Sequence, residues 1–326
     1  YGLVPKREQR PGVDAAELGT LYHEAAERFT HAVTALPEFP EVSVEVCDKL
    51  MDEAVSPLID AWRESPMGES RRGEAVARRI RRTAKRTARN IVSQYADSSF
   101  RPVQMEFVFG QNGLSPIVLE LGDGTFVYLQ GRIDRVDVMT GGGLRVIDYK
   151  SGSRKFDPTL VYWGLQLQLL LYLAAALARV PGSHAAGFFY CRIADPTVQT
   201  ESRIREEVER QIAKKLALSG ISLSDVTILR SQGGQQAAMV TKDGKPNGRF
   251  AASMVDEAGM EKLLTFARNK AAALADEIYA GEIDDSPVER ETFNACQNCE
   301  YSAICVFDPL RKPRRRLTAK RLEDLT

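Results

Sequence analysis

A pair of predicted β-strands in the middle of the chain constrains its fold most strongly. Residues 126–139 and 144–150 are rich in Val, Ile and Tyr with partial alternation, and the consecutive glycines between them favour a short turn. The two segments therefore predict a hairpin. Asp148 and Lys150 are two residues apart, so both side chains leave the same face of their strand, and Asp134 on the partner strand can point into the same space. The sequence thus predicts two carboxylates and one ammonium close together.

This predicted cluster has two interpretations. Carboxylates are hard oxygen ligands that Mg²⁺ or Mn²⁺ binds together with water and a substrate phosphate, an arrangement suited to phosphodiester hydrolysis. A lysine beside them can position the attacking water or offset charge on the phosphorane. The alternative is a cross-strand ion pair, which is the more frequent role of Asp and Lys on a hairpin. An isolated D-x-K motif favours that alternative.

Five short motifs in a fixed order decide between the two interpretations. They are G-x-x-x-H at Gly19–His23, G-x-x-D at Gly131–Asp134, D-x-K at Asp148–Lys150, Q-x-x-x-Y at Gln168–Tyr172, and C-x-x-C-x5-C at Cys296, Cys299 and Cys305. In this order they resemble the PD-(D/E)xK nuclease superfamily, and more narrowly the RecB-like nuclease domains of the AddB type, found in bacterial helicase/deoxyribonucleases. Any one motif alone is weak, whereas five in order are specific.

The resemblance implies both a fold and a function. The fold is α/β, with a restriction-endonuclease-like core, a mixed central sheet flanked by helices, a helical N-terminal region and an inserted subregion. The function is metal-dependent exonuclease cleavage of single- or double-stranded DNA ends within a helicase-nuclease for double-strand break repair, with a helicase subunit or domain as partner. The alternatives are a catalytically silent DNA-binding or scaffolding module and a stand-alone Cas4-like exonuclease. The chain has no Walker-type nucleotide motif, so any ATP-driven unwinding is expected in another chain.

The resemblance also assigns roles around the hairpin. His23, Asp134 and Asp148 are expected to hold the metal, Mg²⁺ or Mn²⁺, and the backbone carbonyl of Tyr149 is a possible further ligand. Lys150 is expected to assist the nucleophile. Without the G-x-x-x-H motif, a lone histidine at the edge of an apolar helix stripe is more often a satisfied boundary residue.

Residues 158–178 predict one long buried helix, because they leave hardly any polar face. Gln168 and Tyr172 are four residues apart and share a side of it, so each must find a polar partner. Internal hydrogen bonding is one interpretation. The resemblance adds a catalytic role, in which the pair orients the region of Lys150 or contacts the DNA backbone.

Three further elements are predicted from local patterns. Residues 103–109 and 117–121 are expected to form strands that complete a meander with the hairpin, and residues 226–229 to form another strand. Glu106 occupies the first of these. A Glu at a comparable place often supports the active site in the resembling family, but the local pattern favours an outward-facing side chain.

A predicted helix at residues 69–95 carries the one concentration of positive charge in its region. Between Ser70 and Arg89, Glu74 is the single acid among many cations. Arg78, Arg82, Lys85 and Arg89 fall on one stripe of this helix, opposite its apolar residues. A solvated face is the usual reason for such a stripe, but cations along one helix face also suit tracking of DNA phosphates, and we favour that interpretation.

The C-terminal cysteines predict a metal centre. Cys296, Cys299 and Cys305 have a spacing that suits Zn²⁺ or an iron-sulfur cluster. The resemblance implies a [4Fe-4S] cluster whose fourth cysteine lies upstream of the G-x-x-x-H helix. No cysteine precedes His23 in the sequence, so the expected cluster lacks one ligand here. The remaining two cysteines, Cys47 and Cys191, are predicted to be ordinary buried thiols.

Composition limits the class of protein more than its function. Lys plus Arg and Asp plus Glu both total 44, so net charge gives no sign of nucleic acid. No long apolar run occurs, so we expect no membrane partner and a cytoplasmic location. The absence of an initial Met suggests a piece of a longer polypeptide. We expect a helical region at 1–100, a nuclease core at 101–195, an insertion at 196–253, and a C-terminal helix, cysteine cluster and basic tail at 254–326, all within one elaborated domain.

Overall fold

The computed structural model describes residues 15–65, 68–111, 114–152, 154–199, 204–290, 293–297, 299, 301, 304–305 and 307–326. The helices are α1 (Ala15–Thr34), α2 (Val44–Arg63), α3 (Arg71–Ser93), α4 (Pro158–Tyr162), α5 (Gln168–Arg179), α6 (Arg205–Lys215), α7 (Val226–Ser231) and α8 (Glu257–Tyr279). The strands are β1 (Phe100–Phe109), β2 (Ile117–Glu120), β3 (Phe126–Leu129), β4 (Gly131–Met139), β5 (Gly143–Lys150), β6 (His184–Arg192), β7 (Ser219–Leu223), β8 (Met254–Val255), β9 (Val288–Arg290), β10 (Phe293–Asn294) and β11 (Arg315–Arg316). Short 3₁₀ helices cover Gly234–Met239, Gly248–Ser253 and Leu322–Asp324.

A six-stranded mixed sheet forms the centre of the fold. Its strand order is β1-β4-β5-β6-β7-β8. The β5-β6 and β7-β8 pairs are parallel, and the other neighbours are antiparallel. Two smaller sheets are formed by β2 with β3 and by β10-β9-β11. The predicted mixed sheet flanked by helices is confirmed.

Helices cover both faces of this sheet and create two separate cores. The α1–α3 layer packs on one face, where Phe29, Ile59 and Ile80 are buried with Ile147 of β5. On the other face α5 packs against α8 and the sheet, and Leu173 and Leu263 are fully buried there. Each such side chain contributes about 1.5–3 kcal/mol by its removal from water. The strands between the two layers are therefore held firmly, which fixes the positions of the polar side chains at their ends.

Helix α3 forms where its stripe of apolar residues predicts it. Ser70 caps the helix by accepting a hydrogen bond from the Gly73 N–H at 3.0 Å. Ala77, Ile80, Ala84, Ala88 and Ile91 recur at helical spacing and are all buried, which leaves the cations on the opposite side.

The predicted strand at 126–139 is wrong as a single element. It is interrupted at Gln130, and its first half, β3, pairs with β2 in a separate two-stranded sheet. The predicted meander through residues 117–121 is therefore wrong as well. Phe126 and Tyr128 of β3 are exposed, whereas β4 is buried at most of its positions. Composition is similar in the two halves, but only the second half lies between two helical layers.

The long helix predicted at 158–178 is also wrong, because it is divided into α4 and α5. Gly164 between them has φ +80°, a backbone conformation that favours glycine. A Cβ at this position would lie 2.7 Å from Cδ1 of Leu274, so a larger residue would also have to displace this side chain of α8. An isolated glycine within a helical pattern is tolerated, so it does not by itself predict such a break.

Two differences fall between residues 196 and 253. The strand predicted at 226–229 is wrong, since these residues belong to α7, where Asp225 caps the helix by accepting a hydrogen bond from the Ile228 N–H at 3.0 Å. In addition, β7 pairs with β6 inside the central sheet. The segment that we describe as an insertion therefore contributes a strand to the sheet, and our four-part division of the chain stays a prediction. None of the helices in the described part of the chain is long and apolar enough to cross a membrane.

Candidate active site

The ends of β4 and β5 bring Asp134, Asp148 and Lys150 together. The register pairs Arg135 with Ile147, so Asp134 lies beside the strand that carries Asp148. The backbone N–H of Tyr149 donates to Oδ2 of Asp134 at 2.6 Å. Nζ of Lys150 lies 2.6 Å from Oδ2 of Asp148. The convergence expected from strand periodicity is present, and the chemical roles of these residues stay predictions.

His23 reaches the same place from the α1–α3 layer. Its Nδ1 lies 3.3 Å from Oδ2 of Asp134, and its ring meets the Tyr149 ring edge to face. Burial lowers the pKa of His23, but the hydrogen bond to Asp134 and the negative charges of Asp134 and Asp148 outweigh burial and raise the pKa overall. The histidine is thus an electrostatic partner of the acidic pair.

Asp148 is the most perturbed carboxyl of the group. Its side chain is 2% exposed. Burial, followed by the neighbouring charge of Asp134, raises the pKa of Asp148 to about 6, and the Lys150 ammonium offsets this only in part. The ionised form of Asp148 would therefore be stabilised by additional positive charge nearby.

Gln168 and Tyr172 approach the hairpin from α5 on the other side. Nζ of Lys150 donates to Oε1 of Gln168 at 3.4 Å, and Nε2 of Gln168 donates to the Tyr172 hydroxyl at 2.8 Å. The Tyr172 ring packs edge to face on Phe109, with the centroids 5.9 Å apart. This chain of contacts satisfies the two polar groups internally and also links them to Lys150, so it fits both interpretations of the pair.

Glu106 belongs to this group, and the prediction that it faces outward is wrong. Its side chain is 16% exposed, and its Oε2 lies 2.6 Å from Nε of Arg132. Burial and the charge of Asp134 raise the pKa of Glu106. A φ of +48° at Glu106 interrupts the regular alternation of β1. Sequence periodicity could not reveal this change of direction. The one signal for a role in the site was that Glu106 lies opposite the G-x-x-D motif on the neighbouring strand.

The donor chemistry of these residues fits a hard divalent cation. Asp148 and Glu106 are largely removed from water, and each pairs through one oxygen with one cation, Lys150 or Arg132, while burial raises the pKa of both. Carboxylate oxygens with an imidazole nearby are ligands that Mg²⁺ and Mn²⁺ accept. As the side chains are placed, however, no three His, Cys, Asp or Glu side chains of the described residues are gathered closely enough to enclose a metal ion.

The C-terminal cysteines are likewise not gathered into a metal site. Cys296, Cys299 and Cys305 are free thiols, and Cys305 is exposed. Residues 298, 300, 302–303 and 306, which surround them, lie outside the described residues. The thiols that the structure describes therefore do not fit an iron-sulfur cluster as placed, and the [4Fe-4S] cluster stays a prediction. Cys47 and Cys191 are buried, as predicted.

The basic stripe on α3 is largely paired within the protein. Lys85 lies 2.5 Å from Asp52, and Arg89 donates to both oxygens of Asp48, with the Nε bond at 2.8 Å. Arg82 lies 2.5 Å from Asp195, whereas the exposed Arg78 is 3.9 Å from Glu74. These acids neutralise much of the stripe. Contact of the stripe with DNA stays a prediction.

A second charged cluster on the same hairpin has no counterpart in the sequence interpretation. Arg135, Asp137 and Arg145, which we call the buried ion cluster, are fully buried. Nε of Arg145 donates to Oδ2 of Asp137 at 2.9 Å, and Nε of Arg135 lies 3.1 Å from Oδ1 of Asp137. The Tyr95 hydroxyl also donates to Oδ1 of Asp137, at 2.9 Å.

The outer donors of the buried ion cluster reach distant parts of the chain. Arg135 donates to Oε1 of Gln94 at 2.6 Å and to the Tyr149 hydroxyl at 3.1 Å. Arg145 donates to the backbone and side-chain oxygens of Gln232 at 3.0 and 2.8 Å. The cluster therefore joins α3, both strands of the hairpin and the segment after α7.

Comparisons with known proteins agree with this geometry. The model of the PD-(D/E)XK nuclease superfamily matches residues 1–306. The chain is 32% identical over 326 residues to an ATP-dependent helicase/deoxyribonuclease subunit from Alkaliphilus metalliredigens, covering 94% of this chain and 28% of that protein. It is 34% identical over 325 residues to the protein of the same name from Caldanaerobacter subterraneus subsp. tengcongensis, with the same coverage. The chain thus spans little more than a quarter of the length of these relatives.

Proposed function

The chain belongs to the PD-(D/E)XK nuclease superfamily, and on that premise we propose that it hydrolyses DNA phosphodiester bonds with the help of Mg²⁺ or Mn²⁺. The observation that carries the proposal is the meeting of Asp134, Asp148 and Lys150 at the ends of two paired strands, with His23 beside them. An ordinary cross-strand ion pair would involve only one acid and one base. Here two buried acids lie together with a single ammonium, and an ordinary structural role does not require that excess of negative charge.

Asp134 and Asp148, with His23 and the Tyr149 carbonyl, are the groups that we propose to hold the metal. When bound, the ion polarises the phosphate and stabilises negative charge in the transition state. Lys150 is held between Oδ2 of Asp148 and Oε1 of Gln168, so its ammonium has a fixed direction from which to orient water or the phosphate. The Tyr149 N–H fixes the Asp134 carboxylate in the same way.

The relatives support a wider role. Their names describe an ATP-dependent helicase and deoxyribonuclease. We propose that this chain is the exonuclease part of a helicase-nuclease that processes single- or double-stranded DNA ends in double-strand break repair. A helicase subunit or helicase domain would then be its partner.

Cleavage of end-labelled single- and double-stranded DNA tests the proposal. Product is expected with Mg²⁺ or Mn²⁺ and none with chelator. Lys150→Ala is expected to reduce kcat by at least about a hundredfold, because the ammonium acts in the chemical step. The exposed Lys262→Ala removes the same charge from α8 and serves as the matched control. Equal cleavage by both variants would remove Lys150 from the mechanism, and no cleavage by the unmodified chain would favour the silent DNA-binding alternative.

A further inference from the structure

Strand β6 brings two more polar side chains to the face that carries the candidate active site. The parallel register places Tyr190 opposite Asp148 and Arg192 opposite Lys150. Paired residues of neighbouring strands point to the same side of a sheet, so all four share one face. Nζ of Lys150 lies over the Tyr190 ring, 5.9 Å from its centroid. Neither Tyr190 nor Arg192 belongs to the motifs of the nuclease resemblance.

Both side chains hold buried donors that the protein does not use. Tyr190 is 2% exposed, and its hydroxyl lies beside the Arg154 guanidinium, which can donate to the phenol oxygen but cannot accept its proton. Nε of Arg192 is also buried, and it has no hydrogen-bond acceptor among the described residues. No ion pair or side-chain hydrogen bond to Arg192 occurs within the described ranges. Arg192 therefore differs from Arg135 and Arg145, which are buried against Asp137.

Charge changes sign along this edge of the sheet. Glu106, Asp134 and Asp148 are contributed by β1, β4 and β5 in spatial order. Lys150 follows at the end of β5, and Arg192 lies beyond it on β6. Arg154 lies near the Tyr190 hydroxyl, where its positive charge acts to lower the pKa of that phenol against the larger increase caused by burial. The acidic half suits a cation, and the basic half suits an anion next to it.

We propose that Tyr190 and Arg192 form a binding subsite for a DNA backbone phosphate adjacent to the one that is cleaved. This inference rests on the proposed function. A DNA strand carries one phosphate about every 3.4 Å along the helix axis, and neighbouring β-strands are about 4.8 Å apart. A backbone whose reacting phosphate lies over β5 thus brings its next phosphate within reach of the flexible Arg192 side chain. The guanidinium and the phenol supply the donors that phosphate oxygens accept.

The first test compares Arg192→Met with Arg179→Met. Met retains most of the buried aliphatic stem but removes the charge. Arg179 is an exposed arginine at the C-terminal end of α5 and provides the matched loss of charge away from the site. For cleavage of single-stranded DNA with Mn²⁺, Arg192→Met is expected to raise KM about tenfold, as loss of a hydrogen bond to a charged group would. The log-log salt slope of binding is expected to fall by about 0.7. Arg179→Met should change neither quantity, and Arg192→Lys should restore part of the affinity.

A second test locates the phosphate. Single methylphosphonates replace charged phosphates at defined positions of the DNA with neutral ones. The unmodified protein is expected to lose about tenfold in affinity when the phosphate next to the scissile one is neutralised, whereas Arg192→Met loses no more. Neutralisation several nucleotides away should affect both proteins equally. If the affinity losses caused by the methylphosphonate and by Arg192→Met add at every position of the DNA, the assignment is wrong.

Tyr190→Phe separates binding from folding. Because Arg154 can only donate to this buried hydroxyl and no described residue accepts its proton, its removal is expected to change the melting temperature little, while DNA affinity falls about threefold. A purely structural tyrosine would change stability without changing affinity.

If the unmodified chain cleaves DNA and Arg192→Met behaves like Arg179→Met, the subsite is wrong and the nuclease proposal stands. If the unmodified chain does not cleave, binding in chelator still measures the contribution of Arg192, so the two failures are distinguishable.

Discussion

The two charged clusters on β4 and β5 differ in how completely their charges are paired. In the buried ion cluster, both oxygens of Asp137 accept hydrogen bonds, and two guanidinium groups lie against them. In the candidate active site, two acids share one lysine and one histidine, and burial together with the charge of Asp134 raises the pKa of Asp148. The clusters occupy opposite faces of the same hairpin, and successive residues, Asp134 and Arg135, belong to different clusters.

This difference separates a structural role from a functional one. A buried ion cluster with good geometry contributes little net stability over apolar packing, but it becomes strongly destabilising when one partner is removed. A cluster with excess negative charge is destabilising as it stands, and it is expected to gain from whatever cation or substrate it binds. The same substitution, Asp to Asn, should therefore have opposite effects on stability in the two places.

The largest expected effect is that of Asp137→Asn. It leaves Arg135 and Arg145 buried without their shared carboxylate, so we expect a loss of about 3–5 kcal/mol in the free energy of unfolding. Urea denaturation followed by circular dichroism measures it. A loss below about 1 kcal/mol would show that water reaches the buried ion cluster despite its burial.

Asp148→Asn should instead stabilise the protein in chelator at pH 7, by about 2 kcal/mol, while cleavage is lost. The pKa of Asp148 is raised to about 6, so between about pH 4 and 6 the folded state binds more protons than the unfolded state, and stability falls as pH rises. Below about pH 4 the carboxyl is neutral in both states, and the advantage of Asn should disappear. Denaturation at pH 4 and pH 7 tests the sign, and an advantage that grows towards low pH would contradict the assignment.

Gln94→Met provides a smaller perturbation of the buried ion cluster. It removes the acceptor that lies 2.6 Å from an Arg135 nitrogen, and we expect a loss of about 1–2 kcal/mol in stability. Cleavage below the melting temperature should remain, because Gln94 contacts no residue of the candidate active site. A matching loss of kcat would mean that the two faces of the hairpin are coupled.

The basic stripe on α3 should show the smallest effects, because its charges are paired but partly exposed. Arg78 is 72% exposed and only loosely paired, whereas Lys85 is held by Asp52. If the stripe tracks DNA, Arg78→Gln should lower the salt slope of binding by about 0.7–0.9, and Lys85→Gln by less. Equal and unchanged slopes in the two variants would show that the stripe serves only the contacts within the protein.

Local rules predicted the hairpin and its shared face, since side chains two residues apart on a strand must point the same way. They could not predict the buried ion cluster. Charged residues that alternate along a strand usually face solvent, and here Gln94, Tyr95 and Gln232, which are distant in sequence, cover this face. The outward orientation predicted for Glu106 is wrong because a left-handed backbone conformation at that residue breaks the strand period on which the prediction rests. The break at Gly164 depended on the approach of Leu274, which sequence neighbours do not reveal.

The contact between His23 and Asp134 also bears on when the site comes into existence. About a third of the chain separates the two residues, and β6, which flanks the site, follows later still. Contacts of such long range form slowly, because the entropy of closing the intervening chain is lost before any packing compensates for it. During synthesis on the ribosome, the first helices emerge long before β5 and β6 do. A nascent chain is therefore expected to lack the candidate active site until nearly all of its central sheet has been made.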